Sequence, residues 1–195
     1  MNDSREFIIN EAYKLFLSRS YEAVSINDIS KVVGFTKGAL YYHFKDKEDL
    51  FMAVIDKYIV IPELSRITDE MTLLMYIEES VKKAQEIIYN LFGEIPLFVP
   101  TNFFALFIDA FRHYPDFAVV KTQFFNSEVE KIRYILDNAV KNGEIRHEIN
   151  TSIMAMNIFS IELGIAGNLF SSNSTTSAID IMRSQLMELY KILKL

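Results

Sequence analysis

Apolar residues recur at intervals of three and four along almost the whole chain, which is the period of an α-helix and not of a β-strand. Only four prolines and six glycines interrupt its 195 residues, so few positions break the pattern. Half of the residues are hydrophobic, enough to form a core, and this excludes an intrinsically disordered chain. The sequence therefore predicts an all-α globular protein.

Polar caps and helix-breaking residues divide this pattern into predicted helices. Ser25, Thr36 and Asp46 are predicted N-caps, because each short polar side chain precedes a helical pattern, and Gly34 supplies a turn. The predicted helices cover residues 4–19, 26–33, 37–43, 47–58, 69–92, 101–114, 116–142, 151–170 and 178–195. A connector is expected over 93–100 and a polar loop over 171–177.

Pro62 follows the fourth predicted helix and marks a boundary between two parts of the chain. We expect a three-helix domain over residues 1–46, a connecting helix over 47–60 and a larger helical domain over 61–195.

Two short helices joined by a glycine-containing turn, as predicted for residues 26–43, are typical of a helix-turn-helix. On a helical wheel, Leu40 and Phe44 point toward the first two helices. Gly38 and Tyr42 point the other way, with Tyr41 at the flank. This outer arc is the predicted DNA-facing surface.

The residues of this segment go further than generic spacing. The stretch 34–50, GFTKGALYYHFKDKEDL, closely resembles the recognition segment of TetR-family regulators. With Ala12–Phe16 and Ser25–Ile29 upstream, the resemblance covers residues 7–55. The chain departs from the family pattern at four positions, which hold small or apolar residues: Ser20, Ser30, Val33 and Phe35.

The resemblance implies a homodimer that binds near-palindromic double-stranded operator DNA. Its implied function is transcriptional repression, relieved when a small-molecule effector binds. The resemblance and the helical wheel together assign DNA contacts to Ser25, Thr36, Lys37, Gly38, Tyr41, Tyr42, His43 and Lys47. For three of these a structural role is an alternative: Gly38 at a tight helix crossing, Tyr42 in packing and Lys47 as a solvated lysine.

The net charge of −6 argues against a nucleic-acid partner, because DNA affinity depends on cations that neutralise phosphates. Counting by region weakens this objection. Residues 1–50 hold seven Lys or Arg and eight Asp or Glu, a net charge of −1, so −5 lies in the other 145 residues. The placement of charge therefore matters more than its total.

Phenylalanine is concentrated in the middle of the chain, where nine of the sixteen fall between Phe92 and Phe125. A helix needs fewer to bury one face, so this segment could line an apolar effector pocket, which would suit a hydrophobic or aromatic effector. The predicted pocket residues are Phe103, Phe104, Phe107, Phe111, Phe124 and Phe125. A solid phenylalanine-rich core is the alternative.

The last two predicted helices carry apolar residues around much of their surface, so more than one face needs covering. Pairing with the same helices of a second subunit would form a four-helix interface, as the family resemblance implies. The predicted interface residues are Ile153, Met156, Phe159, Leu163, Leu186 and Leu189. Packing within one chain is the alternative.

Several function classes find little support in the sequence. There is no cysteine, the three histidines belong to no nucleophile motif, and no glycine loop cradles a phosphate, so we expect no enzyme. The pairs Asp109/His113 and Glu144/His147 have spacings that metal ligands use, but they lack partners, so neither a metal nor another cofactor is expected.

The first residues of the sequence and its longest apolar stretch favour a cytoplasmic protein. The acidic start is unlike a secretory signal. Asn157, Glu162 and Asn168 interrupt the apolar run 153–170, which therefore indicates a buried helix and no membrane span. Two other functions stay open: a DNA-binding dimer without a ligand, and a helical small-molecule carrier without a role on DNA.

Overall fold

The computed structural model describes residues 2–59, 67–92, 100–172 and 174–195; within them, the side chains of residues 2, 91–92, 100–104 and 170–172 are not described. The predicted boundary at Pro62 and residues 93–99 of the predicted connector 93–100 lie outside these residues. Pro100 was predicted to belong to the connector and is instead the first residue of a helix, a position where proline is tolerated because its missing N–H would have no partner there. The helices are α1 Asn2–Arg19, α2 Ile26–Val33, α3 Lys37–His43, α4 Lys47–Tyr58, α5 Leu73–Phe92, α6 Pro100–His113, α7 Phe117–Lys141, α8 Thr151–Ser172 and α9 Thr175–Leu193.

The all-α prediction is confirmed, and two predicted boundaries are wrong. α5 begins at Leu73 instead of residue 69, where Thr72 accepts a hydrogen bond from the amide of Met75 (3.1 Å). Most of the predicted loop 171–177 is helical. Ser174 begins a helix instead of extending a loop, because it caps α9 by accepting the amide hydrogen of Ser177 (3.1 Å).

The N-terminal unit comprises residues 1–62 and 98–118. It contains α1–α4 and also α6, which packs against α1 and α4. The predicted division at residue 61 placed α6 with the later helices, since sequence order alone gave no sign of this long-range packing. Its core includes fully buried Phe16, Leu40, Phe44, Leu50 and Phe51.

The C-terminal unit comprises residues 63–97 and 119–195, with α5, α7, α8 and α9. α9 packs against both α8 and α5. The carboxylate of Glu144 accepts the amide hydrogens of Leu73 (2.9 Å) and Leu74 (3.2 Å) and so caps α5 from a distant loop. Sequence analysis considered Glu144 only as a possible metal ligand together with His147, whereas this contact gives it a structural role.

α8 contains a segment, Thr151–Leu169, that is long and apolar enough to cross a membrane by length and composition alone. Helices in the cores of water-soluble proteins pass the same test, so one such segment is weak evidence for a span. Its mean hydropathy is 1.3, and Glu162 lies within it. The segment therefore gives no reason to assign the chain to a membrane.

Candidate functional site

A side-chain cap fixes the N-terminus of each helix in the helix-turn-helix. The hydroxyl of Ser25 accepts the amide hydrogen of Asp28 (3.2 Å), and the carboxylate of Asp28 accepts the amide hydrogen of Ser25 (3.0 Å). This closes the capping box that the sequence predicted for α2. Thr36 caps α3 in the same way by accepting the amide hydrogen of Ala39 (3.2 Å).

Two of the residues that depart from the family pattern, Ser30 and Phe35, make contacts at the turn between α2 and α3. Gly34 ends α2 with φ of 72°, a left-handed conformation that glycine adopts without steric cost. The hydroxyl of Ser30 donates to the carbonyl of Phe35 (2.5 Å), and the Phe35 ring meets that of Phe7 edge-on at 6.2 Å. Ser30 and Phe35 therefore stabilise the turn through contacts of their own.

α3 presents a solvent-exposed arc made of Lys37, Gly38, Tyr41 and Tyr42. Tyr41 is 53% and Tyr42 69% exposed, whereas Leu40 on the opposite face is buried. A Cβ added to Gly38 would meet only the Thr36 hydroxyl, at 3.9 Å. Internal packing therefore does not require glycine at this position, and the tight helix crossing considered for Gly38 is absent.

His43 and Lys47 are less exposed than the residues of this arc. The ring of His43 meets that of Tyr42 edge-on at 5.1 Å. The ammonium of Lys47 donates to the carbonyl of Tyr21 (3.0 Å) and lies 4.0 Å from the centre of its ring. Lys47 thus fixes the loop before α2, a contact that neither of its sequence-based readings included.

Tyr21 also contacts α6, which sequence analysis had assigned to the other domain. Buried Asp109 accepts the amide hydrogen of Tyr21 (3.3 Å), and the ring of His113 lies 4.4 Å from that of Tyr21. Asp109 and His113, the pair weighed as metal ligands, therefore attach α6 to the loop before α2. The sequence gave no signal for this contact between residues 88 positions apart.

A second contact attaches α6 to α4 within the same unit. The Tyr114 hydroxyl donates to the carboxylate of Asp56 (2.7 Å), and this hydrogen bond is the main reason why the pKa of Tyr114 is raised. Nε2 of His113 lies 3.0 Å from a carboxylate oxygen of Glu22 but makes no hydrogen bond within the described residues. α6 is thus tied to both sides of the helix-turn-helix.

The predicted pocket phenylalanines fall into both units. In the N-terminal unit, Phe107 and Phe111 pack on buried Phe117, with ring centres 5.5 and 4.9 Å from it. In the C-terminal unit, Phe124 and Phe125 lie 5.9 Å apart. The side chains of Phe103 and Phe104 lie outside the described residues.

The six predicted interface residues differ in exposure. Ile153 and Met156 are each 52% exposed and Leu163 is 41% exposed. They share one face of α8 by their spacing of three and seven residues. Leu186 is fully buried and Phe159 nearly so in the core of their own chain, with Leu189 packed against it. Leu186, Phe159 and Leu189 thus stabilise the core of a single chain.

Sequence analysis missed an acidic pair in the C-terminal unit, the buried Glu128 and the half-buried Glu162. Glu128 is 0% exposed. Glu162 accepts hydrogen bonds from the hydroxyls of Tyr76 (2.9 Å) and Ser80 (2.7 Å). Burial chiefly, and the charge of Glu128 in addition, raise the pKa of Glu162 to about 7. The available signal was Glu162 itself, an acid within an apolar helix.

Comparison with known proteins agrees with the helix-turn-helix. The family "Bacterial regulatory proteins, tetR family" matches residues 8–54. An uncharacterised HTH-type transcriptional regulator of Bacillus subtilis, YwcC, is 31% identical over 103 residues, which are 50% of this chain and 46% of that protein. The match thus spans less than half the length of this curated relative.

Solved structures resemble the chain over nearly its whole length. A TetR transcriptional regulator from Chloroflexus aurantiacus matches with a TM-score of 0.67 and 20% identity, covering 99% of this chain and 96% of the other. The structure titled "SmeT-Triclosan complex" matches with a TM-score of 0.63 and 17% identity, covering 97% and 90%. At these identities the likeness shows the fold alone.

Proposed function

This chain belongs to the TetR family of bacterial regulatory proteins, and from that premise we propose that it represses transcription by binding operator DNA through α3. One observation carries the proposal: Lys37, Gly38, Tyr41 and Tyr42 form an exposed arc whose glycine is not needed for internal packing. A helix in the major groove needs such a surface, because side chains and backbone must approach bases and phosphates.

The polar groups of the arc suit contacts with DNA. Lys37 can donate to a guanine edge or to a phosphate, and the hydroxyls of Tyr41 and Tyr42 can donate to phosphate oxygens. Ser25 and Thr36 lie at helix N-termini, where free amides attract anions, although both hydroxyls already serve as caps. His43 and Lys47 are assigned supporting contacts next to this arc.

Release by a small molecule is the second part of the proposal. A solved structure of SmeT, a protein of the same fold, is a complex with triclosan. This complex supports a small-molecule site in the present chain. A signal can reach the helix-turn-helix through α6, because Asp109 and Tyr114 hold Tyr21 and Asp56 within the N-terminal unit. Movement of α6 would shift both of these residues.

A homodimer completes the proposed mechanism. Ile153, Met156 and Leu163 form an exposed apolar stripe on α8 that a second subunit could cover. Two recognition helices held one DNA turn apart would then read a near-palindromic operator. The protein would work in the cytoplasm, where the DNA is, with no enzymatic activity of its own.

The test is binding of purified protein to DNA from the region around its own coding sequence, across a salt series. Protein should be stripped of small molecules acquired during expression before measurement. We expect Lys37→Ala to reduce the salt slope by about two per dimer, one for each recognition helix, and Tyr42→Ala to weaken affinity about tenfold.

Matched controls separate the proposed arc from general effects on charge and surface. Lys82→Ala removes an exposed lysine from the C-terminal unit, and Tyr89→Ala removes a tyrosine that is 74% exposed there. Neither should change DNA affinity. The proposed role of α3 is wrong if wild-type protein binds this DNA no more tightly than unrelated DNA. It is also wrong if the two control variants weaken binding as much as Lys37→Ala and Tyr42→Ala do.

A further inference from the structure

His113, the last residue of α6, has a ring nitrogen, Nε2, that is buried and makes no hydrogen bond within the described part of the chain. A carboxylate oxygen of Glu22 lies 3.0 Å from it. A neutral imidazole carries one hydrogen, on either nitrogen, whereas an imidazolium carries one on each. Protonation of His113 therefore gives Nε2 a hydrogen to donate and gives the Glu22 carboxylate a cationic partner.

The loop before α2 joins this pair to the residues that position the helix-turn-helix. Glu22 follows Tyr21, whose ring centre lies 4.4 Å from that of His113. Tyr21 also donates its amide hydrogen to Asp109 and accepts a hydrogen bond at its carbonyl from Lys47. Aromatic rings attract cations, so an imidazolium gains from the Tyr21 ring as well as from Glu22. A stronger contact between His113 and Glu22 thus fixes the loop that holds Lys47.

Acidic side chains outnumber basic ones around this contact. Burial, and then the charges of four carboxylates, raise the pKa of Tyr21. α1 packs the ring of Phe16 against Tyr21, and no ion pair joins α1 to α6 among the described residues. The surrounding charged groups are the acids Glu22 in the loop, Asp109 on α6, and Asp46, Glu48 and Asp56 at α4, and the cations Arg112 on α6 and Lys47 on α4. Their sum favours a positive charge on His113.

We propose that His113 and Glu22 form a proton-controlled latch that holds α6 to the loop before α2. Histidine side chains change charge between about pH 5 and 8, so the latch is closed at the acidic end of this range and open at the basic end. Both are positioning residues, because neither belongs to the exposed arc of α3 and both act through Tyr21. The latch itself rests on no functional assignment. Its effect on DNA rests on the proposed function, in which release of the operator requires α6 to move.

Hydrogen exchange at the backbone amide of Tyr21 tests the latch directly, because this amide exchanges only when its hydrogen bond to Asp109 opens. The whole purified protein is measured at about pH 6 and about pH 8, and each rate is divided by the intrinsic exchange rate at that pH. We expect the gain in protection from pH 8 to pH 6 to be about two- to fivefold larger in wild type than in Glu22→Gln or His113→Gln. This is the range of an ion pair with one mostly exposed partner, and any other effect of pH is common to the three proteins.

A second pair of the same residue types supplies the matched control. His147 lies 3.6 Å from Glu148 with both side chains in solvent. His147→Gln and Glu148→Gln should therefore keep the wild-type gain in protection. The Glu22 side chain is 68% exposed, so Glu22→Gln removes the charge without disturbing the core. The latch is wrong if Glu22→Gln keeps the full gain, or if His147→Gln reduces it as much as His113→Gln does.

Operator binding at the same two pH values separates the latch from the proposed function. We expect the gain in affinity from pH 8 to pH 6 to be about two- to fivefold larger in wild type than in Glu22→Gln, since a closed latch opposes the movement of α6. His43 beside the DNA titrates in both proteins and so leaves this comparison unchanged.

The two measurements fail in different ways. A latch seen at Tyr21 in a protein that binds no operator at either pH stands by itself, and only the regulatory function fails. Operator binding without a difference at Tyr21 between wild type and Glu22→Gln overturns the latch and leaves the regulatory function standing. A difference at Tyr21 with equal pH dependence of operator binding overturns the role of the latch in DNA binding.

Discussion

The polar contacts in the helix-turn-helix join residues that are near in sequence, whereas those around the acidic pair Glu128 and Glu162 join residues that are far apart in sequence. Between residues 25 and 49, side chains cap helices and close the turn by contacting residues three to five positions away. The hydroxyls of Ser80 and Tyr76 reach Glu162 from 82 and 86 positions away. A local cap depends on one helix end, whereas these distant contacts require the whole C-terminal unit to fold.

The largest expected effect comes from the core that holds the distant contacts in place. Leu186 is fully buried, so Leu186→Ala should lower the free energy of unfolding by about 2–5 kcal/mol through lost burial and a cavity. Denaturant unfolding measures this loss.

Leu163→Ala is the matched control, because Leu163 is 41% exposed on α8. It should cost less than about 1 kcal/mol in stability and instead weaken self-association, measured by analytical ultracentrifugation. Equal destabilisation by both substitutions would contradict the assignment of Leu186 to the monomer core and of Leu163 to a subunit interface.

The second effect is a dependence of stability on pH that the helix-turn-helix should lack. The pKa of Glu162 is raised to about 7, so the folded protein binds a proton that the unfolded chain, with an ordinary carboxyl pKa, has released. Stability from this group is therefore lost as pH rises from about 5 to about 8, by on the order of 2 kcal/mol.

Glu162→Gln removes this titration, and unfolding measured across that pH range should show a flatter profile than wild type. Tyr76 and Ser80 on α5 and Glu128 on α7, with its partner Lys131, face Glu162 and are unchanged in this variant. Glu130→Gln should keep the wild-type slope. A slope that survives in Glu162→Gln must come from another group.

The third prediction compares a distant cap with a local one. Glu144→Ala removes the carboxylate that accepts two amide hydrogens of α5, and should lower the free energy of unfolding by about 2 kcal/mol. Ser25→Ala removes the cap of α2 and should cost about 1 kcal/mol. Chemical denaturation of both variants measures the difference, and a larger loss for Ser25→Ala would reverse the comparison.

This difference in range explains what could be predicted from the sequence. The caps Ser25 and Thr36 and the turn at Gly34 were predictable, because each interacts with residues a few positions away. The packing of α6 with the N-terminal helices was not, because Asp109 meets Tyr21 only in the folded unit.

The site residues follow the same division. The outward direction of Tyr42 was predictable from the helical period, and its 69% exposure agrees. The partner of Lys47 was not, since the carbonyl of Tyr21 belongs to a loop 26 residues away. Glu162 was visible as an acid in an apolar helix, but only the fold places Tyr76, Ser80 and Glu128 around it.

The smallest expected effect on stability tests the helix-turn-helix most directly. Gly38→Ala should stabilise the fold by up to about 1 kcal/mol, because alanine favours helix and the added Cβ meets only Thr36 at 3.9 Å. Gly34→Ala is the matched control and should destabilise by about 1 kcal/mol, because Gly34 has φ of 72°. In Gly38→Ala, weaker operator binding by a more stable protein would show that the missing Cβ serves DNA approach. Unchanged operator affinity would instead mean that the DNA does not come close to α3 at Gly38. The proposed DNA-contacting surface of α3 would then be centred on Tyr41 and would exclude Gly38.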